Sequence, residues 1–308
     1  MATPDAQRFS PVSQQPVLAA RTHEPVSTAQ LRTRLLLCNQ HRTGELREAC
    51  MTSVAVDAGR SSIGQEIASY FYDADPHARF RSEACIGGRK RAVNKRRDVE
   101  WRPNASLGLP CLWSNMPFNK ILLIILMARV LGVTHIVESG RMGGMQLTHY
   151  HRFGFSLVSI EMFPVGHVQR SLQDLIPGIE MLNGDGKELL PRAVAKIRRT
   201  SPPARILAIV DGPKGNGAKD LARSLVNETE MIVIDDFPVA SLEVPKQRAF
   251  RDAWPYATTC TLNKAWSDSF PRSRDRAALA AAGSFFEYDV RAYLKDGEFE
   301  STLLLGRP

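Results

Sequence analysis

Five short runs of aliphatic and β-branched residues recur between positions 134 and 234, and each ends on an acidic or glycine-bearing signal. They are Thr134 to Val137, Phe155 to Ile160, Ile179 to Leu182, Arg205 to Val210 and Met231 to Ile234. The signals that follow are Glu138-Ser139-Gly140, Glu161, Asn183-Gly184-Asp185-Gly186, Asp211 and Asp235-Asp236. Helical patterns lie between and before the runs: Lys120 to Leu131, Leu147 to Arg152, Val165 to Leu175, Glu188 to Arg199 and Ala218 to Val226. Strands that alternate with helices through short loops require crossovers, and crossovers build a parallel sheet. The expected fold is α/β: a Rossmann-like, doubly wound, mainly parallel sheet, closed by an antiparallel edge from Tyr256 to Leu262 and Phe285 to Leu305, plus an N-terminal extension. In such sheets ligands bind beyond the carboxyl ends of the strands, so the five signals mark the expected site.

The remainder of the 308 residues divides into two segments. Residues 1–27 hold four prolines among Ser, Thr and Gln and read as a disordered arm, with an organellar transit peptide as the alternative. Residues 28–114 read as a partly helical, basic extension, with short helices expected in Leu31 to Cys50 and Ser62 to Tyr72. Residues 115–308 form the α/β domain. Nine basic residues stand between Arg79 and Arg102 against Glu83, Asp98 and Glu100, so this stretch carries most of the net charge of +8. Such an excess suits RNA, DNA or an anionic surface, but no aromatic interleaving accompanies it, and a solvated loop is the simpler expectation.

The longest apolar run, Ile121 to Ala128, is bounded by Lys120 and Arg129 and is far too short for a bilayer span. No apolar leader follows the start. Five cysteines (38, 50, 85, 111 and 260) are odd in number and form no CxxC pair, which argues against a zinc module and against a disulfide framework. An intracellular, reduced, cytoplasmic protein is expected, of unspecified oligomeric state.

Glycines in Glu138-Ser139-Gly140-Arg141-Met142-Gly143-Gly144 suit a tight strand-to-helix turn, Gly140 for the turn itself and Gly143 and Gly144 for close approach of a ligand. Glu161, at the end of the next strand, stands where an acid accepts hydrogen bonds from a ribose diol, and Asp185 where it meets an adenine edge. This series resembles the class I S-adenosylmethionine-dependent methyltransferases, in the flavour of the metal-assisted O-methyltransferases and the cephalosporin-hydroxylase-like group, over residues 115–308. Ser139 and the bulky, charged Arg141 depart from the pattern. The resemblance implies S-adenosylmethionine held by Glu138, Gly140, Gly143, Gly144, Glu161 and Asp185, and a small-molecule hydroxyl as acceptor.

Asp211, Asp235 and Asp236, at neighbouring strand ends, form an oxygen-only donor set suited to Mg²⁺. The alternative is that Asp211 pairs with Lys214 and Asp236 caps a turn. Asp211 and Lys214 are the candidate catalytic pair, Lys214 as a base or as an anion holder. His149 and His151 do not share a helix face and read as packed or surface histidines. His167 opens the helix after the second strand, where it either faces the cleft or serves as a terminal polar residue. Two other functions compete: a nicotinamide-dependent oxidoreductase, which lacks the GxGxxG spacing, and a non-catalytic scaffold that binds anionic partners through residues 79–102.

Overall fold

Alternate residues along each central strand enter two different hydrophobic cores, and that two-sidedness organises the molecule. The computed structural model describes residues 26–73, four short strand pieces between 85 and 103, residues 112, 114 and 116, and residues 118–235, 244–259 and 301–307. Expectations for the arm at 1–25, for Asp236 and for the segment 260–300 fall outside the described residues.

Three helices come first: α1 (Thr28–Leu37), α2 (Gly44–Arg60) and α3 (Ser62–Asp73). Ser27 caps α1 in a reciprocal box with Gln30, and Thr43 caps α2 through Leu46 N–H. The sequence suggests one helix from 31 to 50. Two form instead, because the chain reverses after a 3₁₀ turn at Cys38–Gln40. The reversal brings Cys50 back beside Cys38, and the two form a disulfide with Cα atoms 5.5 Å apart, within the span such a bond needs. The expectation of fully reduced cysteines is therefore corrected. An odd count excludes only complete pairing, and the antiparallel helix pair that brings these two together is a tertiary feature.

The described pieces of the basic stretch are strands. β1 (Cys85–Ile86) pairs antiparallel with β4 (Arg102–Pro103), and β2 (Lys90–Val93) with β3 (Arg96–Val99). From there the order is α4 (Phe118–Leu131), β5 (His135–Ser139), α5 (Met145–Arg152), β6 (Ser156–Glu161), α6 (Gly166–Leu175), β7 (Glu180–Asn183) and α7 (Gly186–Thr200). Then follow β8 (Ile206–Val210), α8 (Asn216–Leu225), β9 (Met231–Asp235), α9 (Val244–Ala253), β10 (Thr258–Thr259) and β11 (Ser301–Leu305). All five expected strands and their helices are present within two residues at most ends.

The main sheet runs β10-β11-β9-β8-β5-β6-β7. Strands β5 to β9 are parallel, and β11 enters antiparallel between β9 and β10. The antiparallel edge is thus a two-strand unit whose reversed member lies one place in. Ile136, Leu157, Leu207, Ile209 and Val233 face the core under α4, α5 and α6, while Val137, Val158, Ala208, Val210 and Ile232 face α7 and α8. Strands buried on both faces need continuous apolar runs, as Ile206 to Val210 supplies.

Helix α4 is apolar around its whole circumference because it is covered on all sides. Each of α1, α2 and α3 packs on it, and α2 also reaches β10 and α9. The N-terminal helices therefore share the core of the α/β domain. No helix among the described residues is long and apolar enough to cross a membrane.

Candidate functional site

The strand order reverses at β5, whose neighbours β6 and β8 lead away on opposite sides. Loops leaving a sheet at such a point diverge and leave a crevice between them. A cavity of about 550 Å³ lies there, walled by the loops after β5, β6, β7 and β8, by Asp235 at the end of β9, and by Ser114 and Met116.

Backbone hydrogen bonds knit these loops together. Gly140 N–H donates to the Ile160 carbonyl (3.0 Å), Gly184 N–H to the Glu161 carbonyl (3.0 Å), and Asp211 N–H to the Ser139 carbonyl (3.1 Å). Ser139, an oddity in sequence, has a clear task. Its Oγ donates to the Ile209 carbonyl (3.3 Å) and accepts from Asp211 N–H (3.3 Å), which ties the loop after β8 to the end of β5. Gly140 has φ +89°, and a Cβ there would press on the Asp211 side chain at 3.0 Å, so glycine is required on both counts.

The candidate cofactor residues separate into two groups. Gly140, Glu161 and Asp185 line the cavity. Glu161 accepts from the N–H groups of Met142 (2.8 Å) and Phe163 (3.0 Å), so its carboxylate organises the rim. Asp185 caps α7 by accepting from Lys187 N–H (2.8 Å). Glu138, Gly143 and Gly144 stand behind the wall rather than on it. Gly144, at φ +70°, starts α5, and a Cβ on it would strike Leu172 of α6 at 2.7 Å; its absent side chain serves helix packing.

Glu138 is wholly buried on the α4–α5 side of β5. Gln146 Nε2 donates to its Oε1 (3.2 Å) and to the Arg141 carbonyl (3.2 Å). Burial, with the nearby charges of Asp211 and Asp235 adding to it, pushes the Glu138 carboxyl well above the usual range. Arg141 is equally buried, its Nη1 donating to the carbonyl (3.4 Å) and Oγ (3.3 Å) of Ser159. Burial pulls its guanidinium below the usual arginine range. Tyr150, buried beside them with its hydroxyl on Met116 Sδ, is pushed up by burial and then by Glu138, Asp235 and Asp211.

Two of the three carboxylates expected to hold a metal, Asp211 and Asp235, each meet a lysine, while Asp236 lies outside the described residues. Lys214 Nζ donates to Asp211 Oδ1 (2.6 Å) at the half-exposed side of the cavity. Lys120, at the start of α4, pairs with Asp235 Oδ1 where both side chains are buried. Among the described residues no group of three His, Cys, Asp or Glu side chains converges as a metal site. Lys120 carries a signal that the sequence reading leaves unused, a cation directly ahead of the apolar run 121–128, whereas Gln146 carries none.

Neither His149 nor His151 joins the cavity wall. His149 is buried, with Nδ1 within 3.4 Å of the Tyr70 hydroxyl of α3, while His151 is exposed. His167 stands at the start of α6, away from the cavity lining.

No family model matches this chain, and no curated protein matches it. Among solved structures it is similar to a candidate caffeoyl-CoA O-methyltransferase from Staphylococcus aureus, at 12% identity and a TM-score of 0.34, over 61% of this chain and 82% of that one. A likeness at that level carries no functional argument.

Proposed function

We propose that this chain binds S-adenosylmethionine in the cavity at the β5–β8 divide and transfers its methyl group to a hydroxyl of a small molecule. The observation that supports this most is the convergence of three strand-end features on one cavity: the Gly140 turn after β5, Glu161 after β6 and Asp185 after β7. Acids at the second and third strand ends suit a ribose diol and an adenine edge. Arg141 and Gln146, which line the cavity, carry buried polar atoms with no partner among the described residues, which suits a ligand polar at that end.

The bound cofactor would supply an electrophilic methyl group on a sulfonium. This chain's part is to hold the acceptor oxygen in line with it and to take the hydroxyl proton as the O–C bond forms and the S–C bond breaks. In this reading Asp211, at the cavity wall, accepts that proton. An ammonium already donating to a carboxylate is a donor, so Lys214 would steady Asp211 and the forming ether oxygen. Met142, Met162 and Phe163 leave apolar surface exposed along the rim, which suits an acceptor with an apolar body. No step is routed through a metal.

The sheet argues against the nicotinamide alternative, because an antiparallel β11 stands where a dinucleotide fold continues with parallel strands. Calorimetric titration with S-adenosylhomocysteine and with NAD tests the reading. Saturable binding of the first and none of the second is expected, unchanged by EDTA. Binding of NAD alone, or of neither, would sink it.

A further inference from the structure

The basic stretch ahead of α4 plays no part in the cavity, yet its described pieces are paired in a definite way. β1 pairs antiparallel with β4, and β2 with β3, so both pairs close the same chain reversal. Two residues separate Val93 from Arg96, which makes β2 and β3 a hairpin. Among the described residues neither pair joins the seven-stranded sheet.

Register places the charges. Lys90 stands across from Val99 and Ala92 across from Arg97, so Lys90, Ala92, Arg97 and Val99 share one face of the hairpin. Arg91 stands across from Asp98 and Val93 across from Arg96, so these four share the other. Each face therefore carries two cations mixed with apolar residues. A hairpin that covers a core alternates apolar and polar residues so that one whole face is apolar. Here neither face is, and packing either one into a core would bury charge. The pattern suits a partner of opposite charge that meets both faces.

A flat anionic surface meets one face of a ribbon at a time, whereas a groove flanked by two phosphate strands meets both. The major groove of B-form DNA, about 12 Å wide, admits a two-stranded β-ribbon, and the narrow major groove of A-form RNA does not. The charge balance agrees, with nine basic residues against three acidic ones between Arg79 and Arg102.

We propose that the β2–β3 hairpin is a docking ribbon for double-stranded DNA, seated in the major groove with one basic face toward each phosphate backbone. It stands apart from the cofactor reading. Contact with backbone phosphates makes the binding tolerant of sequence.

Fluorescence anisotropy with the full chain and a labelled DNA duplex of about 20 base pairs, two helical turns, tests this. In the unaltered protein log affinity should fall against log salt with a slope of about −4, one phosphate for each of the four cations. A duplex RNA of the same sequence should bind more weakly. Lys90→Gln with Arg97→Gln, and separately Arg91→Gln with Arg96→Gln, should each weaken DNA binding by about tenfold or more and flatten the slope by about 2. Loss from only one of the two pairs means a one-sided contact and overturns the groove placement. DNA affinity that neither double variant changes overturns the proposal. So does tighter binding to the RNA duplex, or binding to vesicles of equimolar phosphatidylcholine and phosphatidylserine with none to DNA. The salt slope and the comparison of DNA with RNA and vesicles use the unaltered chain, so a variant that fails to fold leaves the test decisive.

Discussion

The two faces of the sheet are built to different rules. Under α7 and α8 the core is apolar from Val137 and Ile160 to Leu190, Val194 and Ile234, and its buried polar side chains, such as Ser139 and Thr302, are uncharged. On the α4–α5 face the same strands carry apolar residues along their length but charged ones at their carboxyl ends: Glu138 on β5 and Asp235 on β9, met by Arg141 and Lys120. One face holds the sheet together, and the other buries charge at the point where loops part. A buried charge is an expense that only pairing or a ligand offsets.

Three experiments probe that contrast. The largest effect is expected from Lys120→Met, which leaves Asp235 buried without its lysine. A loss of about 3–5 kcal/mol should appear in denaturant unfolding, since breaking a buried pair costs far more than the pair contributes. The double variant Lys120→Met with Asp235→Asn should recover most of it. If the single variant is nearly neutral, the pair is not desolvated as its burial implies.

On the apolar face, Leu190→Ala should cost about 2–4 kcal/mol, since it opens a cavity in a packed core. Affinity for S-adenosylhomocysteine should not change. A matching loss of affinity would mean that the two faces are coupled and that the division of labour is wrong.

The smallest effect has the opposite sign. The folded protein holds the Glu138 proton more tightly than the unfolded chain does, because burial raises that carboxyl. What Glu138 contributes is therefore fully present below the ordinary carboxyl range and is lost as pH rises through its raised value. Glu138→Gln should leave Tm nearly unchanged near about pH 4 and raise it increasingly above that, by roughly 2–4 °C for each kcal/mol regained. A Tm that falls at neutral pH would show the carboxylate to be stabilising and remove the contrast.

Much of the α/β domain was legible in advance because β8 and β9 are uninterrupted apolar runs over Ile206–Val210 and Met231 to Ile234, as strands buried on both faces require. The rim of the cavity was legible for a related reason: Gly140, Glu161 and Asp185 lie at strand ends, and strand ends share one edge. What sequence spacing hid was pairing at a distance. Lys120 and Asp235 are 115 residues apart, and nothing local in either shows the other. Asp211 and Asp235 read as two parts of one metal set, yet each carboxylate meets its own lysine in the folded chain.

By itself, then, the sequence determined strand order along the chain, the two-sided burial of the sheet and the glycine turn at 140, because periodicity and backbone freedom are properties of a few consecutive residues. The tertiary structure alone decided that β11 inserts antiparallel, that Cys38 meets Cys50, and that Arg141 anchors on Ser159. Those outcomes depend on which distant groups share a buried volume, and partner choice in a low-dielectric interior is set by desolvation and geometry across the whole fold rather than by neighbours in the chain.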